Sequence, residues 1–188
     1  MRHKECYSNK SRRGALVVLA AFMMVAFIAF VALAVDVGYI LVARSELQRS
    51  ADAAAMAGAW KLADEGRFKG DPYLSYAMSN ARDMATNYAS ANTVCTAEPY
   101  VDLNITNQVE GDVVIGHLAN FSDPQATLDF TNPSLFNAVQ VRVRRNANQN
   151  GLVPSFFSRF LGVDGFVVEA EATAALASST EVGMSLGP

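Results

Sequence analysis

Residues 14–35 read GALVVLAAFMMVAFIAFVALAV and contain no charged side chain. A helix of about 22 residues rises about 33 Å, which is enough to cross the hydrocarbon core of a bilayer. Lys10, Arg12 and Arg13 precede this apolar run, and Asp36 follows it directly. Because basic residues tend to stay on the cytoplasmic side, the pattern predicts a single-pass anchor with a cytoplasmic N-terminus and an exported remainder.

Charge is distributed unevenly along the chain. Residues 1–13 carry +4 against a total of −3, so the remainder carries −7. A nucleic-acid surface requires clustered Lys and Arg, and an acidic exported part does not supply one. The only basic cluster after the apolar run is Arg142, Arg144 and Arg145. Its first two members alternate with valines, so we expect them on the solvent face of a strand, and we expect no nucleic-acid partner.

A cleaved signal peptide is the competing interpretation of the N-terminus. The triplet Ala32-Leu33-Ala34 resembles a cleavage site, and cleavage after Ala34 would release a secreted binding module that begins at Val35. The apolar run is longer than the usual core of a signal peptide, about 7–15 residues, and no Gly or Pro interrupts it before the triplet. We therefore predict that the segment is retained. The N-terminus of the mature chain distinguishes the two alternatives.

The helical pattern continues beyond Asp36 and predicts one helix from about Gly14 to about Asp64. Its apolar or small positions there are Ile40, Leu41, Leu47, Ala51, Ala54, Gly58 and Leu62. Two ridges of small residues, Ser50/Ala54/Gly58 and Ala51/Ala55/Ala59, would allow another backbone to approach closely. Such a helix needs a partner surface, either its own domain or a neighbouring chain. We predict Asp36, Ala51, Ala55 and Gly58 as helix-packing contacts, with a homo-oligomer as one outcome.

Asp36 is the ionisable residue with the most informative position. At the outer edge of a membrane its carboxylate can reach headgroups and water. Alternatively it faces a helical partner and pairs with a cation there.

The second half of the chain predicts an α+β fold. A second helix is expected from Tyr73 to about Ser90, followed by short alternating segments bounded by turn residues. The predicted strands are Tyr100–Thr106, Val113–Leu118, Ala126–Phe130, Ala138–Arg145 and Phe166–Ala175. The segment PSFFSRFL, Pro154–Leu161, predicts a short helix capped by Gly162.

The resulting fold class is α+β: a long N-terminal transmembrane helix that extends into an amphipathic Ala-rich helix, followed by a small sheet covered by helices. The predicted divisions are a basic cytoplasmic N-terminus (1–13), the transmembrane segment (14–35), the exported continuation of the helix (36–65), an exported α+β domain (66–177) and a tail (178–188).

The sequence offers no coherent set of catalytic residues. Gly183-Met184-Ser185-Leu186-Gly187 matches a nucleophile-elbow pattern, but neither a helix nor a later His follows it. Cys6 and Cys95 fall on opposite sides of the proposed membrane, as do His3 and His117, so no disulfide within the chain is expected. We expect Cys95 to be unpaired, with an intermolecular bridge as the alternative. Metal-ligand spacing, a phosphate loop and a dinucleotide motif are also absent from the sequence. We predict a protein that is not an enzyme, with no metal, no cofactor and no small-molecule substrate.

Two parts of the sequence resemble the TadE/TadG-like Flp pilus-assembly proteins. The N-terminal part comprises Arg12-Arg13-Gly14, Ala34-Val35-Asp36-Val37-Gly38, Leu47-Gln48 and the run from Ala51 to Ala59. The C-terminal part comprises Asn137–Val143, Phe156–Val163 and Val168–Ala174. Residues from about Lys61 to Phe136 lie outside the resemblance.

The resemblance implies a single-pass inner-membrane protein of a bacterial tight-adherence (Tad) pilus and secretion system. Its partners would be the membrane and other Tad/Flp pilus-assembly proteins. Pilin-like relatives carry Glu five residues after a processing Gly, where this chain has Leu19, so the resemblance favours a retained anchor. The chain lacks the Asp-x-Ser-x-Ser motif of longer TadG-type proteins with a von Willebrand-type domain, so the resemblance is to a short TadG-type form.

Overall fold

A computed structural model describes residues 12–63, 73–123 and 125–177. Helix α1 spans Arg12–Leu62 and helix α2 spans Tyr73–Ala91. The strands are β1 (Val113–Gly116), β2 (Ala138–Arg145), β3 (Val153–Pro154), β4 (Gly165–Phe166) and β5 (Val168–Ala175). The predicted cytoplasmic N-terminus up to Ser11, the predicted tail and the Gly183–Gly187 motif lie outside the described residues.

Helix α1 has two halves with opposite surroundings. Its first half is exposed on all sides, and it is long and apolar enough to cross a membrane by length and composition. Its second half buries one face completely, and the buried residues recur at three- and four-residue steps. They are Ala43, Leu47, Ser50, Ala51, Ala54, Ala55, Ala59 and Leu62. The helix is continuous between the two halves.

Helices α1 and α2 run antiparallel and pack closely against each other through small residues. Helix α2 buries Ala77, Ala81, Ala85 and Ala89 at four-residue spacing against α1. The Ser50 hydroxyl donates to the carbonyl of Ala89 at 3.0 Å, in the interior. Alanine and serine leave little bulk between the axes, so the backbones can approach, and the sheet packs mainly against α1, through β5 and β2.

The main sheet is antiparallel in the order β1-β2-β5. Strand β2 is central, with Val141 opposite Val113 on one side and Ala172 on the other. Val139, Val141 and Val143 are fully buried, while the alternate positions are half-exposed. The predicted strand Ala138–Arg145 is confirmed, with Arg142 and Arg144 on the face opposite the buried valines.

Two predicted strands are wrong. Tyr100–Thr106 forms no strand, because Asn104 adopts φ +49° and its side-chain amide donates to the carbonyls of Gln108 and Val113. Ala126–Phe130 contributes only a single bridge, between Asp129 and His117. There, the carboxylate of Asp129 accepts the N–H of Thr131, a local bond that competes with ladder pairing.

The last predicted strand and the predicted short helix are present in modified form. Phe166–Ala175 is divided at Val167: β4 pairs with β3, and β5 pairs with β2. The helix is a 3₁₀ turn over Ser158–Leu161, ended by Gly162 in the left-handed conformation at φ +83°. The predicted α+β class is confirmed, with two helices covering a small antiparallel sheet.

Candidate functional site

Asp36 is bound by a loop that lies about 120 residues later in the chain. Its Oδ1 accepts the backbone N–H of Phe156 at 2.9 Å and that of Phe157 at 3.2 Å. Its Oδ2 accepts the backbone N–H of Ser158 at 2.7 Å and the Ser158 hydroxyl at 2.6 Å. The residue is only 2% exposed. We call this arrangement the Asp36 clamp.

The clamp forms because the loop presents unpaired donors. The first N–H groups of a helical turn have no partner within the turn, and no side chain of the loop caps the turn that begins at Ser158. The Asp36 carboxylate takes the place of that cap. On the far side, Ser155 Oγ donates to the carbonyl of Val163 at 2.6 Å, which closes the loop.

Hydrogen bonding lowers the pKa of Asp36 from 3.8 to about 2. The largest cause is the Ser158 hydroxyl, and the three backbone N–H groups act in the same direction, while partial desolvation opposes them. Asp36 is therefore a carboxylate at any physiological pH. A charged acceptor forms stronger hydrogen bonds than a neutral one, so ionisation favours the closed loop.

The clamp differs from both surroundings expected for Asp36. The carboxylate is enclosed by its own chain instead of facing headgroups and water. It also takes part in none of the ion pairs among the described residues. No local sequence signal could have identified its partner, because the donors are main-chain groups of a distant loop.

Ala51, Ala55 and Gly58 lie in the interface between α1 and the rest of the domain. Ala51 is 0% and Ala55 1% exposed. A Cβ added at Gly58 would lie 3.0 Å from Val139 Cγ1 and 3.1 Å from the carbonyl oxygen of Ala81. These three residues therefore pack against α2 and the sheet of the same chain, and that contact leaves no surface there for a neighbour.

On their solvent-exposed side, α1 and α2 present large apolar side chains. A groove of about 530 Å³ is lined by Ala53, Met56, Ala57, Trp60, Lys61, Met84 and Tyr88. Trp60, the single tryptophan of the chain, is 78% exposed, and Met56 is 61% exposed. Sequence reasoning missed this groove because it followed the alanine ridges. The signal was present in Met56 and Trp60, which are four residues apart on the opposite face of α1.

Arg142 and Asp112 take part in structural contacts of the sheet. Arg142 Nε donates to Glu171 Oε2 at 2.8 Å, across the β2–β5 pair. Asp112 is 4% exposed, accepts the N–H of Asp102 at 2.9 Å and lies 3.3 Å from Arg144 Nε. Within residues 12–63, 73–123 and 125–177, no three His, Cys, Asp or Glu side chains are grouped as metal ligands.

Cys95 is a free, half-buried thiol that is linked to the Asp36 clamp through Tyr39. Its backbone N–H donates to Glu46 Oε2 at 2.7 Å. A side-chain hydrogen bond with Cys95 raises the pKa of Tyr39, and burial adds to the effect. The Tyr39 ring in turn packs edge-on against Phe156, with the ring centroids 5.1 Å apart.

These features define a protein in which a long apolar helix carries a small α+β domain that is fastened to it at the end of the apolar run. Comparison with family models gives two matches: TadE/G-like Flp pilus assembly over residues 14–61, and Tad-like Flp pilus assembly over residues 57–174. The chain belongs to this Tad-like Flp pilus-assembly family. The second match also covers Lys61 to Phe136, which the sequence resemblance left out. No curated protein and no solved structure matches the chain.

Proposed function

We propose that this chain is a membrane-anchored, non-enzymatic structural component of a bacterial Tad (Flp) pilus and secretion apparatus, of the short TadG-type form. Residues 14–35 would span the inner membrane, with Lys10, Arg12 and Arg13 holding the N-terminus in the cytoplasm. The α+β domain would be exported and would contact other Tad proteins. The family matches and the apolar first half of α1 support this proposal.

The observation that carries the proposal is the absence of a linker within α1. The same helix supplies the apolar segment and the buried face of the domain, and it is continuous from Arg12 to Leu62. The clamp fastens the domain at Asp36, the first residue after the apolar segment. A domain mounted in this way has a fixed height and orientation above the membrane, which suits a mechanical role in an assembly.

The groove lined by Met56, Trp60 and Tyr88 is the proposed contact surface for other Tad proteins or for a second copy of the chain. Exposed aromatic and Met side chains are enriched at the centres of protein interfaces. Asp36, Ala51, Ala55 and Gly58 would act indirectly in this proposal, by holding α1, α2 and the loop together so that the groove keeps its shape.

The first test is the state of the mature chain. We expect it to stay in the membrane after alkaline extraction and to retain peptides from residues 14–35 by mass spectrometry. Ala32, Leu33 and Ala34 lie within α1, whereas signal peptidase requires an extended segment, and this supports retention. A soluble product that begins at Val35 would overturn the anchor and favour the secreted binding module.

The second test is a photo-crosslinking residue placed at Trp60, with Tyr100 as the matched control. Both side chains are aromatic and well exposed, at 78% and 63%. We expect position 60 to crosslink to another pilus-assembly protein or to a second copy in intact cells, and position 100 to give little product. Equal crosslinking at the two positions would contradict the groove as contact surface.

A further inference from the structure

The loop of residues 156–163 exposes large apolar side chains beside the end of the apolar segment. Phe160 and Leu161 are each 87% exposed, which makes them the most exposed large apolar side chains in the described part of the protein. Phe157 and Val163 are also exposed. Adjacent apolar side chains left open in this way mark a surface that is covered in the working molecule.

The clamp fixes the level of this loop along α1. Side chains of a helix lean toward its N-terminus, so the Asp36 carboxylate points back toward the apolar segment. The loop that binds it therefore lies beside the last turn of that segment. The exposure of valines agrees: Val31 and Val35 are 47% and 45% exposed, against 69% for Val17, so the folded part already shields α1 before Asp36.

Most main-chain N–H groups of the loop donate to acceptors within the protein. The N–H groups of Phe156, Phe157 and Ser158 are bound by Asp36. Those of Phe160, Gly162 and Val163 donate to the carbonyls of Phe157, Arg159 and Ser158 at 3.0, 3.1 and 3.1 Å. Main-chain donors must be satisfied before a segment can enter a region poor in water, and six of the eight N–H groups of residues 156–163 have acceptors within the protein.

We propose that the 156–163 loop is seated in the outer interfacial layer of the lipid bilayer, with Phe160 and Leu161 among the acyl chains. This proposal rests on the proposed function, because residues 14–35 set the position of the bilayer. Arg159, 71% exposed in its side chain and 3.7 Å from the exposed carboxylate of Asp164, would exchange that ion pair for lipid phosphates beside the buried pair. The domain would then be held to the membrane at two points, the helix and the loop.

The test uses the full chain reconstituted in phosphatidylethanolamine and phosphatidylglycerol vesicles. Trp60→Phe removes the native tryptophan, and Phe160→Trp in that background places a single reporter in the loop. Lipids with a nitroxide at a shallow or a deep acyl position act as quenchers. We expect the shallow label to quench Phe160→Trp several-fold more than it quenches Trp60 of the unmodified chain. Quenching no greater than that of Trp60 would overturn the proposal.

Two further variants separate the possible failures. Leu161→Trp, at an equally exposed position, should be quenched like Phe160→Trp and guards against a local effect of one substitution. Phe27→Trp reports the anchor itself and should be quenched most by the deep label. Quenching of Phe27→Trp without quenching in the loop refutes the loop proposal alone, whereas a Phe27→Trp that escapes quenching refutes the anchor. A loop reporter shielded in native membranes but not quenched by labelled lipid identifies a protein partner and overturns lipid contact.

Discussion

At the scale of single residues, Asp36 shows how a carboxylate can be held without a cation. Three consecutive N–H groups and one hydroxyl surround its two oxygens, and together they replace the water that burial removes. The sequence identified the residue but could not identify its partners. Every non-proline residue has a main-chain N–H, so residue type does not show which of them bind Asp36. The partners are also 120 residues away, beyond the range of a local sequence pattern.

The clamp predicts a loss of stability in acid. The pKa of Asp36 is about 2 in the folded chain and 3.8 in the unfolded reference, so its contribution is fully present above about pH 4 and is lost as the pH falls toward 2. We expect the loop amides of Phe156–Ser158 to lose protection from hydrogen exchange in that window. Asp36→Asn should remove this pH-dependent component, and Ser158→Ala should move its midpoint upward.

Asp83→Asn, on the exposed face of α2, is the matched control for the acid experiment. It should leave the profile unchanged. The pKa of Asp129 is also lowered, through the N–H of Thr131, so the comparison of Asp36→Asn with the unmodified chain isolates the clamp. An identical acid profile in both would show that the clamp contributes nothing to stability.

At the scale of elements, the sequence predicted what depends on periodicity and missed what depends on polar side chains. Strand β2 follows from the alternation of valine with polar residues, and α1 from its three- and four-residue spacing. The region around Asn104 has a comparable alternation, but left-handed Asn conformations and side-chain bonds to the main chain turn it into a loop. The high Asn and Asp content of that region is the sequence signal that could have indicated a loop.

Gly58 tests the close contact between α1 and its own domain. Gly58→Leu should destabilise the folded domain by about 1–3 kcal/mol, because Val139 Cγ1 and the Ala81 carbonyl leave no room for a side chain. Ala57→Leu, one residue earlier on the half-exposed face, should change stability by no more than about 0.5 kcal/mol. Denaturant unfolding of the detergent-solubilised chain measures both. Equal effects would contradict the intramolecular contact.

Asp112 tests the polar edge of the sheet. Asp112→Ala should cost about 3 kcal/mol, because it leaves the N–H of Asp102 without its acceptor and the Arg144 guanidinium without its buried ion-pair partner. Glu110→Ala is the control: Glu110 is 92% exposed in its side chain and lies 3.9 Å from Arg142, so its loss should cost less than about 0.5 kcal/mol. The two midpoints of denaturant unfolding should therefore differ clearly, and similar midpoints would exclude a structural role for Asp112.

At the scale of the whole molecule, the uninterrupted α1 fixes the orientation of the domain relative to the apolar segment. The hydrogen bonds of the clamp and the buried residues of the core lie at or after Asp36, and before it the folded part shields Val31 and Val35 only in part. The helix can therefore be lengthened just before Asp36 without breaking the clamp hydrogen bonds or opening the core. An insertion at this point therefore changes the orientation of the domain while leaving its core and clamp intact.

Insertion of alanines between Val35 and Asp36 tests whether orientation matters for assembly. One alanine rotates the domain by about 100° about the helix axis, whereas four rotate it by about 40° beyond a full turn. We expect one insertion to reduce piliation strongly, and four to restore much of it, with unchanged thermal stability in both. Piliation that does not follow this helical phase would show that the anchor acts only as a tether.

The contact between α1 and β5 also determines the order in which the domain can fold. The Gln48 side chain donates to the carbonyl of Glu171 at 3.1 Å, a pairing across 123 residues. If the domain is exported as proposed, the alanine face of α1 emerges first, and the strand that covers it emerges last. Non-local pairing of this kind is slow, so newly made chains pass through a period in which the core is open. In that period Asp36 lacks its loop and is hydrated, and the binding of its carboxylate by residues 156–158 marks the completion of the native state.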